Sequence, residues 1–463
     1  MKNMTPENMA QVTGGKLLGP ASLFQKEITD VVTDSRKISS GCLFAAIRGE
    51  RVDGHSFIKK TIGLGAGAVL AEYLPDDVTA DIPVILVGST QKALRELAAF
   101  YLDQMQIPTV GIIGSAGKTS TKEMVASVLS QKFRVLKTDG NFNNELGVPL
   151  TVFRIREEHQ IAVIEMGINH FGEMSRLAAI VRPDTVVMTN IGTAHLEFLK
   201  DRDGILKAKS EVFDHIRPES CVILNGDDDK LITLQEVRGR KPLFFGVENT
   251  GADIRAVSIE EKGIQNTHCR ILTPKSAFAV DIPLSGMHAV HNALAGAAVG
   301  YRYGLSDEEI ARGIAAYESL SGRFRVTEAG GITIIDDTYN ANPSSMKASV
   351  SVLAKADERK IAVLGDMKEL GENENELHRD VGRFAGEADI DAVYCIGGLG
   401  KYIAEGVKET AGEKNRPLAA WFADKEAFIS GLSGYVRKGD TVLVKASRSM
   451  AFEKIVEALT SLS

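Results

Sequence analysis

Residues 111–120, GIIGSAGKTS, place glycine, lysine and threonine where a phosphate would need them. The common phosphate loop reads G-x-x-x-x-G-K-[ST]. Counting back five from Gly117 reaches Ile112, so that spacing fails. The context still fits. TVGIIG before it is a short apolar strand, and a helix begins near Thr119. Glycines let backbone approach phosphate, and the following helix N-terminus favours anions. Lys118 is then placed for β/γ-phosphates and the Thr119 hydroxyl for Mg2+. The competing reading is a plain strand-to-helix turn capped by Thr119.

Further polar residues close other apolar runs. Glu165 ends IAVIEMG, and His195 follows TVVMTNIGTA. In a doubly wound sheet such strand ends face the ligand, and a carboxylate there suits a hard cation. His195 alone also reads as a capping or core histidine. Lys207 and Lys209, in LKAKSEVF, read as ordinary helix-surface lysines. Arg323 lies just past a domain boundary, where it can swing onto a γ-phosphate on closure. DDTYNANP follows a strand and reads as a polar loop or a capped turn. KASRSMAFEKIVEAL ends a strand and starts a helix, with Ser447, Arg448 and Ser449 expected at that helix N-terminus. They suit a carboxylate or phosphate, or are a cap with a solvated arginine.

The elements that must position these groups alternate between strand and helix, the pattern of α/β folds with parallel sheets. Three regions are expected. Residues 1–106 mix short strands and turns, ending in a helix over 93–105 before Pro108. Residues 107–321 form a doubly wound sheet with strands at TVGIIG, IAVIEMG, TVVMTNIG and CVILNGD. Residues 322–463 form a smaller Rossmann-like domain with strands at ITIIDDT, KIAVLGDM, AVYCIGG, LAAWFA and DTVLVKAS. IGLGAGA, 62–68, imitates a dinucleotide fingerprint but leads into a strand rather than a helix, so it reads as a helix end and turn.

Composition narrows the class. The chain has 463 residues, 44% hydrophobic and 25% charged, as in ordinary globular proteins. No apolar run reaches the ~18 residues of a membrane span, and no signal peptide is evident. Four single cysteines form no C-x-x-C pair and fit a reducing cytoplasm. The net charge of −7, without a long basic run, argues against nucleic acid.

Taken together, TDSRKISSGCLFAAIRGERVDGHSF, GNFNNELGVPLT, EMGINHFGEM, TNIGTAHLEFL, DDTYNANPSSM, VLGDMKELG and KASRSMAFE, in this order, resemble the Mur ligases of peptidoglycan synthesis over essentially the whole chain. GSAGKTS is similar to that family's short loop, G-[ST]-x-G-K-T-[ST], which accounts for the failed count. The resemblance implies an N-terminal UDP-sugar domain, a central ATPase-like domain and a C-terminal ligase domain. The implied reaction joins D-alanyl-D-alanine to UDP-N-acetylmuramoyl-tripeptide through an acyl phosphate. ATP and Mg2+ serve it, in a cytoplasmic monomer without nucleic-acid or membrane partners. Folylpolyglutamate synthase-like ligases share such a core, and a nucleotide-dependent switch is the alternative from another class.

The resemblance also implies roles. Gly114, Ser115, Ala116, Gly117, Lys118, Thr119 and Ser120 hold phosphate, and Asn292 contacts adenine. Arg323 and Asp337 reach phosphates and ribose. Thr119, Glu165, His195 and Lys209 serve Mg2+, Lys209 as the lysine carbamylated in many Mur ligases. Ser35 and Arg36 serve the UDP-sugar, with Asn141, Asn143 and Asn144 in a substrate loop. Asn340, Asn342, Ser447 and Arg448 handle the peptide and dipeptide ends. There are two departures: EFLK lacks the glycine expected after its leucine, a loop change, and the adenine site differs. The family's G-x-H-N-x-x-N reads here from Gly286 to Asn292 with Ala289 at the first asparagine, so one hydrogen bond near adenine is lost or supplied otherwise.

Overall fold

A computed structural model describes residues 1–49, 52–192, 196–410 and 417–462. Its secondary structure is α/β throughout, arranged on three sheets. The first sheet has five short strands: β1 (Lys16–Leu18), β2 (Val31–Val32), β3 (Leu43–Ala45), β4 (Ala68–Ala71) and β5 (Val84–Leu86). Their order is β1-β5-β4-β3-β2, parallel except for β1 against β5. The helix Thr90–Met105 follows, capped by Ser89 and ended by Gln106 at φ 50°.

The middle sheet holds β6 (Thr109–Ile113), β7 (Val135–Lys137), β8 (Ile161–Glu165), β9 (Thr185–Met188), β10 (Cys221–Asn225), β11 (Leu243–Gly246), β12 (Ile254–Lys262), β13 (Asn266–Leu272) and β14 (Ala277–Ile282). Its order is β14-β13-β12-β11-β10-β9-β6-β8-β7. Strands β6, β8 and β9 are buried at every residue, as near-continuous Val/Ile runs in a parallel sheet should be. The expected parallel core is present, but the sheet is mixed. β12–β13 and β13–β14 pair antiparallel. These strands bury alternate residues, a two-residue period rather than an apolar run.

The third sheet holds β15 (Arg325–Ala329), β16 (Ile332–Asp336), β17 (Lys360–Gly365), β18 (Ala392–Ile396), β19 (Leu418–Phe422) and β20 (Thr441–Lys445), in the order β15-β16-β20-β17-β18-β19. Only β15 runs antiparallel to its neighbour. Its core includes Ile334, Val363, Tyr394, Val444 and Phe452. The helices Glu374–Glu387 and Gly400–Thr410 cross so closely that a Cβ on Gly382 would lie 2.1 Å from the Ile403 carbonyl oxygen. IGLGAGA behaves as expected: the helix Ile58–Gly63 ends there, and β4 follows.

Two compact units emerge. One comprises 1–112, 133–186 and 210–220; the other comprises 113–132, 187–209 and 221–463. No helix among the described residues is long and apolar enough to cross a membrane.

Candidate active site

The loop Gly114–Gly117 leaves β6 and enters the helix Lys118–Leu129. Gly117, at φ 77°, occupies the helix N-cap, and no side chain caps the helix there. The first helical N–H groups thus lack the side-chain acceptor that a Ser or Asp cap would bring. A Cβ on Gly114 would stand 1.9 Å from the Thr189 hydroxyl, so only glycine fits. Two residues beyond β9 hold the loop in shape. The Thr189 hydroxyl donates to the Ala116 carbonyl at 2.6 Å. Asn190 accepts from the Ala116 N–H at 2.9 Å and donates to its carbonyl at 3.0 Å. Its own carbonyl takes the Ser115 N–H. The Ser115 hydroxyl is buried without a hydrogen-bond partner.

Lys118 and Lys209 both donate to the Gly114 carbonyl, each at 3.0 Å. This corrects the reading of Lys209 as a surface lysine. It is 2% exposed, whereas Lys207 is exposed. Ala208 and Lys209 are buried on the helix Arg202–Ser210, and helical position alone did not reveal that face. Burial, and then the charge of Lys118, hold the Lys209 amine well below the usual lysine range.

The helix Met287–Arg302 brings Asn292 to the same loop. Its Oδ1 accepts from the Thr121 hydroxyl at 2.8 Å and lies 3.7 Å from where a Gly117 Cβ would be. Ala289, the departure from the family pattern, is fully buried. One turn away His291 bridges Asp227 and the Met287 carbonyl, both at 2.8 Å. His288 packs edge-on to Phe324 at 5.4 Å, and burial lowers its pKa to about 4.

Arg323 lies between Gly322 at φ 74° and Phe324 at φ 56°. A bulky residue in that region stores strain of order 1–3 kcal/mol, a mark of constrained functional backbone. The Arg323 guanidinium stacks 3.5 Å from the Tyr339 ring centroid; that of Arg448 is 5.8 Å away. Asp337 accepts from Lys445 at 2.5 Å, Ser349 at 2.7 Å and the Phe324 N–H at 3.2 Å. Lys445 also reaches the Asn340 carbonyl. Asn342 caps the helix Pro343–Leu353, so that part of DDTYNANP is a capped turn. Ser447 accepts from the Lys368 N–H. Ser447 and Arg448 belong to a short 3-10 turn; the α-helix starts later, at Glu453, so they are not at its N-terminus as expected.

In the other unit, Glu165 closes β8 opposite Ile112, two residues before the loop. It is 1% exposed. Oε1 accepts from the Asn143 amide at 2.7 Å, and Oε2 is buried with no partner among the described residues. An orphaned carboxylate oxygen is what a divalent-cation ligand should show before its ion arrives. The Asn144 side-chain oxygen accepts from the N–H groups of Leu146 and Gly147, where the helix Gly147–Val152 begins. Asn141 is exposed. Arg36 forks onto Asp34, which its guanidinium and N–H hold below the usual carboxylate range; Ser35 lies between them. His195 lies outside the described residues. Among the described residues no three His, Cys, Asp or Glu side chains gather as a metal cluster.

Thr189, Asn190, Lys445 and the His291–Asp227 pair had no assigned role in the sequence reading. Their one signal was position: Thr189 and Asn190 end a buried strand, as Glu165 does.

With this geometry, comparison with known proteins is informative. The Mur ligase family, catalytic domain, matches residues 27–102; the Mur ligase middle domain matches 112–300; the Mur ligase, glutamate ligase domain matches 322–448. A UDP-N-acetylmuramoyl-tripeptide--D-alanyl-D-alanine ligase from Bacillus subtilis is 37% identical over 462 residues, covering 99% of each chain. A crystal structure of MurF from Acinetobacter baumannii superposes with a TM-score of 0.89 at 34% identity, covering 98% of each chain. MurF ligase from Thermotoga maritima, in complex with ADP, gives 0.81 at 32% identity, covering 94% of this chain and 97% of that one.

Proposed function

The chain belongs to the Mur ligase family, and on that footing we propose that it joins D-alanyl-D-alanine to UDP-N-acetylmuramoyl-tripeptide, driven by ATP, completing the pentapeptide precursor of peptidoglycan. One observation carries the chemistry: an uncapped helix behind a glycine loop with Lys118 and Lys209 on one carbonyl. That is a phosphate cradle with two lysine amines already in place.

A peptide carboxylate is a poor electrophile. Its oxygen attacks the γ-phosphorus of ATP, the bond to the bridging oxygen breaks, and ADP leaves. The resulting acyl phosphate is attacked by the dipeptide amine. A tetrahedral intermediate collapses, inorganic phosphate departs, and the amine loses its proton. Residues 114–120 enclose the phosphates, the N–H groups at the helix start donating to them while those of Ser115 and Ala116 stay on Asn190, and Lys118 shifts from the Gly114 carbonyl to the phosphate oxygens. Arg323, released from Tyr339, adds charge where it develops. Asn292 takes the adenine, and Asp337 the ribose.

Thr119, Glu165, His195 and Lys209 would hold Mg2+, with Lys209 carbamylated, the burial that lowers its pKa favouring reaction of the amine with CO2. Bound magnesium supplies positive charge to the phosphate oxygens. Ser35, Arg36, Asn141, Asn143 and Asn144 take the UDP-sugar end; Asn340, Asn342, Ser447 and Arg448 take the dipeptide. The domains 1–106, 107–321 and 322–463 divide the work as UDP-sugar, ATP and dipeptide domains, in a cytoplasmic monomer.

The test is phosphate release from ATP and Mg2+, with UDP-N-acetylmuramoyl-tripeptides carrying lysine or meso-diaminopimelate and D-alanyl-D-alanine added singly and together. Release needing both, with the ligated mass, is expected. Steady hydrolysis indifferent to both would turn the reading towards a nucleotide-dependent switch or a folate-type ligase.

A further inference from the structure

Asn143 was expected only to meet substrate, yet its side-chain amide is committed elsewhere. We infer that Asn143 is a positioning residue for Glu165: it occupies Oε1 and so presents Oε2 alone to a divalent cation. The inference rests on the proposed magnesium role of Glu165.

Three observations carry it. The Asn143 amide lies 2.7 Å from Oε1. A carboxylate oxygen only accepts, so the amide nitrogen is the donor and the orientation of Asn143 is fixed. Second, Oε2 is sealed from solvent and has no partner among the described residues, on a side chain 1% exposed. Leaving an acceptor unsatisfied inside a protein is costly unless something else satisfies it. Third, Asn143 is anchored by its own backbone. Its carbonyl accepts from the Gly167 N–H at 2.8 Å, and a Cβ at 167 would stand 3.0 Å from the Asn143 amide nitrogen. Gly167 lies two residues beyond Glu165, so both ends of the contact are tied to the end of β8. The Glu165 N–H is held in turn by the Thr138 hydroxyl at 3.0 Å.

The chemistry follows. With one oxygen engaged by an amide, the carboxylate binds metal through a single oxygen. The hydrogen bond fixes its rotation. Partners of metal ligands commonly contribute tenfold to a hundredfold in metal affinity. Asn143 also belongs to the loop 139–147, with exposed Asn141 and Phe142 beside it. That loop therefore connects substrate to metal, and the two should bind with positive coupling.

The experiment measures Mn2+ binding by electron paramagnetic resonance, with ADP present and no turnover, on the full chain. Asn143→Ala should raise the Mn2+ Kd about tenfold or more. Gly167→Ala, which crowds the amide while leaving it in place, should raise it in the same direction. Asp139→Ala, which removes the loop's ion pair with Arg154, should leave the Kd within twofold. In a Glu165→Gln background Asn143→Ala should add nothing further. If Glu165→Gln leaves Mn2+ binding unchanged, the magnesium role of Glu165 fails, and the inference with it. If Glu165→Gln weakens binding but Asn143→Ala does not, only the positioning role is overturned. A full Asn143→Ala penalty in the Gln background overturns it as well, because Asn143 would then act by another route.

Discussion

Gly114→Ala should be among the most damaging single-methyl additions in this chain. The new Cβ would sit 1.9 Å from the Thr189 hydroxyl oxygen and 3.3 Å from the Thr189 backbone nitrogen. The hydroxyl must rotate away, which breaks its 2.6 Å bond to the Ala116 carbonyl. Stranding a buried polar group costs about 1–3 kcal/mol, and forcing a carbon into packed space about 1–3 kcal/mol. The sum, roughly 2–6 kcal/mol, is a large part of a typical domain's stability. Thr189→Ala removes the obstacle, and the Ala116 carbonyl keeps its bond from Asn190. That change alone should cost only about 0.5–1.5 kcal/mol. The double variant should then be more stable than Gly114→Ala alone, a strongly non-additive cycle. Urea denaturation measures the stabilities, and ADP titration follows the loop itself. A Gly114→Ala protein within about 1 kcal/mol of the parent, or a cycle that adds simply, would refute the packing argument.

Two further outcomes follow from buried bases. His288 has a folded pKa of about 4 against an ordinary 6.5. The unfolded chain therefore binds the proton more tightly, and stability falls as pH drops from 6.5 towards 4, by at most about 3 kcal/mol. His288→Leu should flatten that segment of a denaturation series; an unchanged difference between parent and variant across the window would contradict it. Burial holds the Lys209 amine well below the usual lysine range, which favours the uncharged form that reacts with CO2, so protein equilibrated with 13C-bicarbonate should show a carbamate carbonyl resonance that Lys209→Arg lacks. A resonance persisting in the variant would assign the carbon elsewhere.

Much of this was legible in sequence because it depends on short range. TVGII, IAVIE and TVVM are apolar at every position, and strands buried on both faces need that. The loop was legible as a run of small residues between such a strand and a helix. What stayed hidden depends on partners distant in the chain. Nothing near Lys209 announces that its amine ends on the carbonyl of Gly114, 95 residues earlier. Asn143 meets Glu165 across 22 residues. The strands β12–β14 were not legible as apolar runs because they alternate. His291, in the pattern's variable position, was legible only as a helix residue until Asp227 met it across 64 residues.

The Gly114 carbonyl carries a last consequence. A carbonyl oxygen has two lone pairs, and here two lysines use it. The loop is thus already folded around two lysine amines that stand where an incoming phosphate would otherwise have to organise them. Binding becomes an exchange: phosphate oxygens take over a lysine that the backbone was holding, and no long side chain has to be frozen from free solution. The ordering cost is met during folding rather than at each turnover. The same exchange runs backwards when product leaves, since the carbonyl competes for the lysine as the phosphate departs. One backbone atom therefore acts as a buffer for positive charge, smoothing both arrival and release.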